Sequence, residues 1–105
     1  MKPTQPARRS VNVEVFMSDW NPLSISHNAF EFLLTDLDTG LTFMDVADST
    51  RNMAVRRRNH ANARRAYDSV VRFMRNLSLD DTQRKALAER LALLKSRLEN
   101  VGESF

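Results

Sequence analysis

The chain has 105 residues, enough for one domain, and its 42% apolar and 28% charged residues are typical of a globular protein rather than a disordered one. The absence of cysteine excludes disulfides and thiolate metal sites, and it fits a reducing compartment, so we expect a cytoplasmic protein. No run of 18 apolar residues exists, so we expect no membrane-spanning segment, and a net charge of +3 permits nucleic-acid binding without requiring it.

Residues 1–26 are predicted to form an extended N-terminal arm. All the prolines of the chain lie in its first 22 residues: Pro3, Pro6 and Pro22. Residues 11–15 alternate between apolar and polar, but one strand of five residues cannot make a sheet. We expect the arm to pack on a helical body through apolar side chains that include Trp20. The alternative is an arm that wraps a partner subunit.

The first helix is predicted over about residues 28–48. Ser26 or Asn28 can cap its start, with Glu31 three residues beyond Asn28. Apolar residues then recur at spacings of four and three, as on an amphipathic helix: Phe30, Leu34, Leu37, Leu41 and Met44. Small polar residues at positions 48–50 predict its end.

The second helix is predicted over about residues 52–76, with an apolar stripe of Ala63, Tyr67, Val70, Met74 and Leu77. The third is predicted over about residues 79–101, with a stripe of Leu87, Leu91, Leu94, Leu98 and Val101. Ser78 is its predicted N-cap, Asp81 the residue that reaches back to it, and Gly102 its C-terminal stop. Residues 27–105 are therefore predicted to be an all-α antiparallel three-helix bundle, in which Gly40, Ala63 and Ala66 allow close helix packing.

The charges divide between the first two helices. Residues 27–50 carry acids and no Lys or Arg: Glu31, Asp36, Asp38, Asp45 and Asp48. Residues 51–77 carry eight arginines and one acid, Asp68. We expect ion pairs between these two helices, which would select the helix neighbours more than they would stabilise them.

The alternative is that the arginines bind an acidic partner. Six of them lie within about 120° of the second helix, opposite its apolar stripe. We name this set the arginine face: Arg57, Arg58, Arg64, Arg65, Arg72 and Arg75. A solvated charged face is the common explanation of such an arc, and this one contains no aromatic residue of the kind that accompanies nucleic-acid binding.

Further apolar residues of the first helix lie off its main stripe. Phe32 and Phe43 are within about 20° of each other around the helix, and Val46 follows. One explanation is that the arm, with Trp20, covers them. The other is that Trp20, Phe32, Phe43 and Val46 form a partner or dimer surface, because exposed aromatic patches often mark contacts.

No arrangement of residues predicts catalysis. Asp38-Thr39-Gly40 has the letters of an aspartic-protease triplet, but that chemistry needs two facing copies and the chain has one. His27 and Glu31 are four residues apart, as two metal ligands on a helix can be, yet no third ligand stands at a suggestive spacing. We expect no enzymatic activity, no cofactor and no metal.

The segment Asn62-Ala63-Arg64-Arg65-Ala66-Tyr67-Asp68-Ser69-Val70, followed by a capped third helix, resembles tetratricopeptide-type and MIT-type helical modules. It lacks their glycine-bearing first turn and the closing proline of a tetratricopeptide repeat. The chain also resembles small uncharacterised bacterial helical proteins. The resemblance implies a protein-interaction role. We therefore expect a non-enzymatic interaction module that binds another protein or itself, with weak binding of nucleic acid or another polyanion as the alternative.

Overall fold

Three α-helices form the described part of the protein. The structure is a computed structural model that describes residues 22–105, with side chains from residue 27 onward. Helix α1 spans Pro22–Ser49, α2 spans Met53–Met74 and α3 spans Asp81–Asn100, and each helix contacts the other two. The predicted all-α three-helix bundle is confirmed. Residues 1–21 of the predicted arm, with Trp20, lie outside the described residues.

Helix α1 begins at Pro22, earlier than the start predicted near residue 28. Proline fits the first turn of a helix, because the N–H it lacks would have no intrahelical partner there. The helix ends at Ser49, as the small polar residues predicted. Within the described residues, no helix is both long and apolar enough to cross a bilayer.

The buried face of α1 is wider than the predicted stripe. Its most deeply buried residues include Leu33, one position before Leu34 of that stripe. The fully buried side chains of this helix are Leu33, Leu37, Met44 and Ala47. Phe30, Leu34 and Leu41 are only partly buried and pack against that core. The difference arises because α1 packs on α2 and α3 at once, so the line of residues between the two contacts is buried most deeply.

Gly40 lies where α1 approaches both partners. A Cβ placed on Gly40 would lie 2.9 Å from Leu94 Cδ2 and 3.3 Å from Ala66 Cβ. Ala63 is fully buried at the same crossing. The predicted close approach through small residues is confirmed, and it includes a leucine of α3 that the sequence did not indicate.

Three helix ends have caps that can be compared with the predicted helix ends. Two caps agree with those ends, and the third does not. Asn52 caps α2, its side chain accepting a hydrogen bond from Val55 N at 3.1 Å. At the C-terminus of α3, Gly102 has φ +100° and Glu103 N donates to Leu98 O at 3.0 Å, as in a Schellman motif. The predicted stop at Gly102 is confirmed.

The predicted N-cap of α3 is wrong. Asp80, not Ser78, accepts the hydrogen bond from Gln83 N at 2.7 Å, and Gln83 Oε1 accepts one from Asp80 N at 3.1 Å. This is a capping box shifted by two residues. Leu79 is buried against the core, and the helix starts after it, so the residue that follows Leu79 occupies the cap.

Candidate functional site

Three of the five acidic residues of α1 pair with α3, and within the described residues none pairs with α2. Arg90 Nε lies 3.4 Å from Asp38 Oδ1. Arg97 reaches two acids at once, with Nη1 2.9 Å from Asp45 Oδ1 and Nη2 2.8 Å from Asp48 Oδ2. In the part of the chain that the structure describes, no ion pair joins α1 to α2. The prediction of ion pairs between these two helices is therefore wrong.

The geometry around α1 explains this pairing. Asp38, Asp45 and Asp48 lie on the side of α1 that borders α3, whereas α2 meets α1 through Gly40 and the small residues opposite it. Desolvation by itself would lower the pKa of Arg97, but hydrogen bonds and the charges of Asp45 and Asp48 raise it above its ordinary value. Arg97 thus holds its charge while it links the two helices.

One arginine of α2 does bind α1, through backbone oxygens instead of carboxylates. Arg56 Nε donates to Ala47 O at 3.2 Å, and its Nη2 donates to Thr50 O at 2.6 Å. These carbonyls lie at the C-terminal end of α1, where the last carbonyls of a helix lack intrahelical partners and a positive charge is favourable. Arg56 therefore has a structural role in the α1–α2 connection.

Arg64 is already engaged within the protein. Its Nε binds Asp68 at 3.1 Å, and its Nη1 binds Glu103 Oε1 at 2.9 Å and Ser104 O at 2.7 Å. The guanidinium also lies 3.9 Å from the ring centroid of Phe105. Burial opposes the charge of Arg64, yet hydrogen bonds and charges from Asp68 and Glu103 raise its pKa. The predicted solvent-facing set of six arginines is thus reduced by one.

The other members of the arginine face are exposed: Arg57, Arg58, Arg65, Arg72 and Arg75. Among the side chains of residues 27–105, none makes a hydrogen bond or ion pair with these five arginines. Arg58, Arg65 and Arg72 are seven residues apart, so they lie along one line of α2 at intervals of about 10 Å. We name these three the arginine row.

A groove lies between α1 and α2, next to the arginine row. We name it the α1–α2 groove, and its volume is about 340 Å³. Its lining residues are Asp36 and Phe43 of α1 and Asn62, Arg65, Ala66 and Ser69 of α2. Arg65, the middle member of the arginine row, lines the groove, and Arg58 and Arg72 lie two turns to either side of it along α2.

The residues of the predicted aromatic surface differ in their burial and in their position relative to the α1–α2 groove. Phe43 is partly buried, packs against the core and lines the groove. Phe32 is 60% exposed and lies on the same side of α1, about 16 Å from Phe43 along the helix axis. Val46 is 40% exposed, about one turn beyond Phe43. Where Trp20 stands relative to them lies outside the described residues.

Phe73 was not among the residues predicted to form the aromatic surface. Phe73 is 52% exposed, and it lies one turn of α2 after Ser69, the last residue of this helix in the groove lining. Its position off the apolar stripe of α2 was a usable signal. The sequence does not show which faces of α1 and α2 pack together. Only that packing places Phe73 on the same side of the bundle as Phe32.

No group of three or more His, Asp or Glu side chains within the described residues is arranged to hold a metal ion. Comparison with protein-family models, with curated proteins and with solved structures finds no match to this chain. The resemblance to tetratricopeptide-type and MIT-type modules therefore stays a prediction. The groove and the charged and apolar residues beside it are the features from which a function can be argued.

Proposed function

We propose that this protein is a non-enzymatic protein-interaction module that binds a polypeptide segment in the α1–α2 groove. The observation that carries the proposal is that Phe43 lines the groove while Phe32 of α1 and Phe73 of α2, both exposed, lie further along the two helices that form it. Burying large aromatic side chains contributes much of the free energy of protein association. The two sides of the groove come from different helices, so a bound segment would contact both.

The test is a selection of random 16-residue peptides on the immobilised full-length chain, followed by affinity measurements on the selected peptides. The test variant carries Phe32→Ser and Phe73→Ser, which remove the exposed aromatic rings and leave the core intact. We expect this variant to bind the selected peptides at least tenfold more weakly, because each ring contributes contact area to the bound segment.

Leu93→Ser is the matched control. Leu93 is 52% exposed, as Phe73 is, but lies on α3, which contributes no residue to the groove lining. We expect this variant to bind the peptides within twofold of the unsubstituted chain. An equal loss in the Leu93→Ser variant, or no peptide that depends on Phe32 and Phe73, would contradict the proposal. Sedimentation equilibrium of the same variants shows whether the segment bound is a second copy of the chain.

A second candidate function is weak binding of nucleic acid or another polyanion. The observation that favours it is that four exposed arginines of α2, and Arg75 at its C-cap, lack ion-pair partners in the described part of the chain, while Asp38, Asp45 and Asp48 of α1 pair with α3. Phosphate contacts weaken steeply as salt rises, so a titration of duplex DNA between 50 and 300 mM NaCl is the direct test. Absence of binding at the lowest salt concentration would exclude this function.

A further inference from the structure

The chemistry of the α1–α2 groove is asymmetric. On the α1 side, Phe43 lines the groove, and the exposed Phe32 and Val46 lie three turns before it and about one turn after it along the helix. The α2 side carries the arginine row, whose middle member, Arg65, lines the groove. Asp36 is the acidic residue in the lining, and no ion pair joins it to Arg65, so the α2 side presents three arginines against one acid of the lining.

The spacing of these groups fits a helix. Phe32 and Phe43 are about 16 Å apart along α1, which is three turns of a helix lying beside it. Successive members of the arginine row are about 10 Å apart, which is two turns, or seven residues, of such a helix. Helices that dock into grooves present apolar anchors at spacings of three and four residues.

We propose that the occupant of the α1–α2 groove is an acidic amphipathic helix of another protein. Its apolar stripe contacts Phe32, Phe43 and Phe73, and its acidic residues, seven apart, pair with the arginine row. This inference rests on the proposed function and specifies the chemistry of the partner. The aromatic contacts supply affinity, and the charge pairs set the orientation and the choice of partner.

Three other occupants fit less well. A nucleic-acid duplex across this surface would bring phosphates near α1, which carries Asp36 in the groove lining and no Lys or Arg over residues 27–49. A second copy would offer acids on α1, but Asp38, Asp45 and Asp48 already pair with α3. The first 21 residues of the chain carry three Lys or Arg and two acids, so their net charge does not complement the arginine row.

The experiment uses the full chain and three labelled helical peptides of 18 residues, followed by fluorescence anisotropy. The first peptide has leucines along one face and glutamates seven residues apart beside them. The second replaces each glutamate by lysine, and the third keeps the composition of the first but distributes its leucines around the helix. We expect the first peptide to bind at least tenfold more tightly than either of the others at 100 mM NaCl.

Two protein variants with the same change of charge localise the binding. Arg65→Glu alters the groove, whereas Arg57→Glu alters the far side of the arginine face, about 80° around α2 from Arg65. We expect Arg65→Glu to weaken binding of the acidic peptide at least tenfold and Arg57→Glu to change it less than threefold. With Arg58, Arg65 and Arg72 all changed to Glu, the lysine peptide should become the preferred ligand.

The outcomes separate the inference from the proposed function. Equal binding of the acidic and lysine peptides, or equal effects of Arg57→Glu and Arg65→Glu, would overturn the acidic-helix inference. If selected peptides without acidic residues still depend on Phe32 and Phe73, the proposed function stands while this inference fails. Tighter binding of duplex DNA than of the acidic peptide, or a dimer that depends on Phe32, would overturn it in favour of those occupants.

Discussion

Arg97 of α3 binds Asp48 of α1 at 2.8 Å and Asp45 one turn earlier at 2.9 Å. The same helix α1 also binds α3 through Asp38 and Arg90 at 3.4 Å. These contacts place the negative charge of α1 against the less basic of its two neighbours. The arginine row of α2 is exposed and has no ion-pair partner on α1, and its middle member lines the α1–α2 groove from which the proposed function is argued.

Replacing Arg97 by Met should lower the free energy of unfolding by about 1 kcal/mol, because two partly exposed ion pairs contribute about 0.2–1 kcal/mol each. Urea titration at low salt measures this loss, and it should shrink in 1 M NaCl because salt screens the pairs. Arg75→Met is the control, since Arg75 is exposed and has no ion-pair partner within the described residues. An equal loss in both variants would contradict the role of Arg97.

Substitutions at Gly40 should depend on side-chain size. Alanine gains about 1 kcal/mol of helix propensity over glycine, but its Cβ would lie 2.9 Å from Leu94 Cδ2. We expect these effects nearly to cancel, so Gly40→Ala should change the free energy of unfolding by less than about 1 kcal/mol. Gly40→Leu should destabilise by about 3 kcal/mol, because a larger side chain would force α1 away from α2 and α3. Equal stability of the two variants in urea titration would show that the crossing is looser than described.

The shifted capping box of α3 can be tested with two alanine variants. Asp80→Ala removes the acceptor for Gln83 N, and loss of an N-cap costs about 1 kcal/mol. Ser78→Ala should change the free energy of unfolding by no more than about 0.5 kcal/mol, because Ser78 is exposed and lies outside the box. Thermal unfolding followed by circular dichroism measures both. A larger loss of stability for Ser78→Ala than for Asp80→Ala would indicate that Ser78 is the N-cap, as the sequence predicted.

Arg56 and Arg57 are adjacent arginines with different predicted effects. Arg56→Ala should destabilise by about 1.5 kcal/mol, because it removes charged hydrogen bonds to Ala47 O and Thr50 O. Arg57→Ala should be neutral within about 0.5 kcal/mol, since Arg57 is exposed. Hydrogen exchange of the amides near the α1 C-terminus should accelerate only in the Arg56 variant. Equal behaviour of the two variants would argue against this contact.

Local patterns in the sequence determined the helices. Spacings of three and four residues identified all three, and Gly102 marked the end of the third. These features depend on residues within a few positions of one another, and backbone geometry fixes how such residues are placed. The shift of the α3 cap from Ser78 to Asp80 shows the limit, because it followed from the burial of Leu79 by the rest of the bundle.

Only the tertiary structure decided which charges meet. The sequence shows an acidic first helix and a basic second one, and their opposite charge suggested that they pair. The choice between α2 and α3 depends on how α1 is turned about its axis, which the packing of Gly40 and the buried leucines sets. That rotation brings Asp38 and Asp48 to α3 and leaves Arg65 of the arginine row beside Phe43 at the groove.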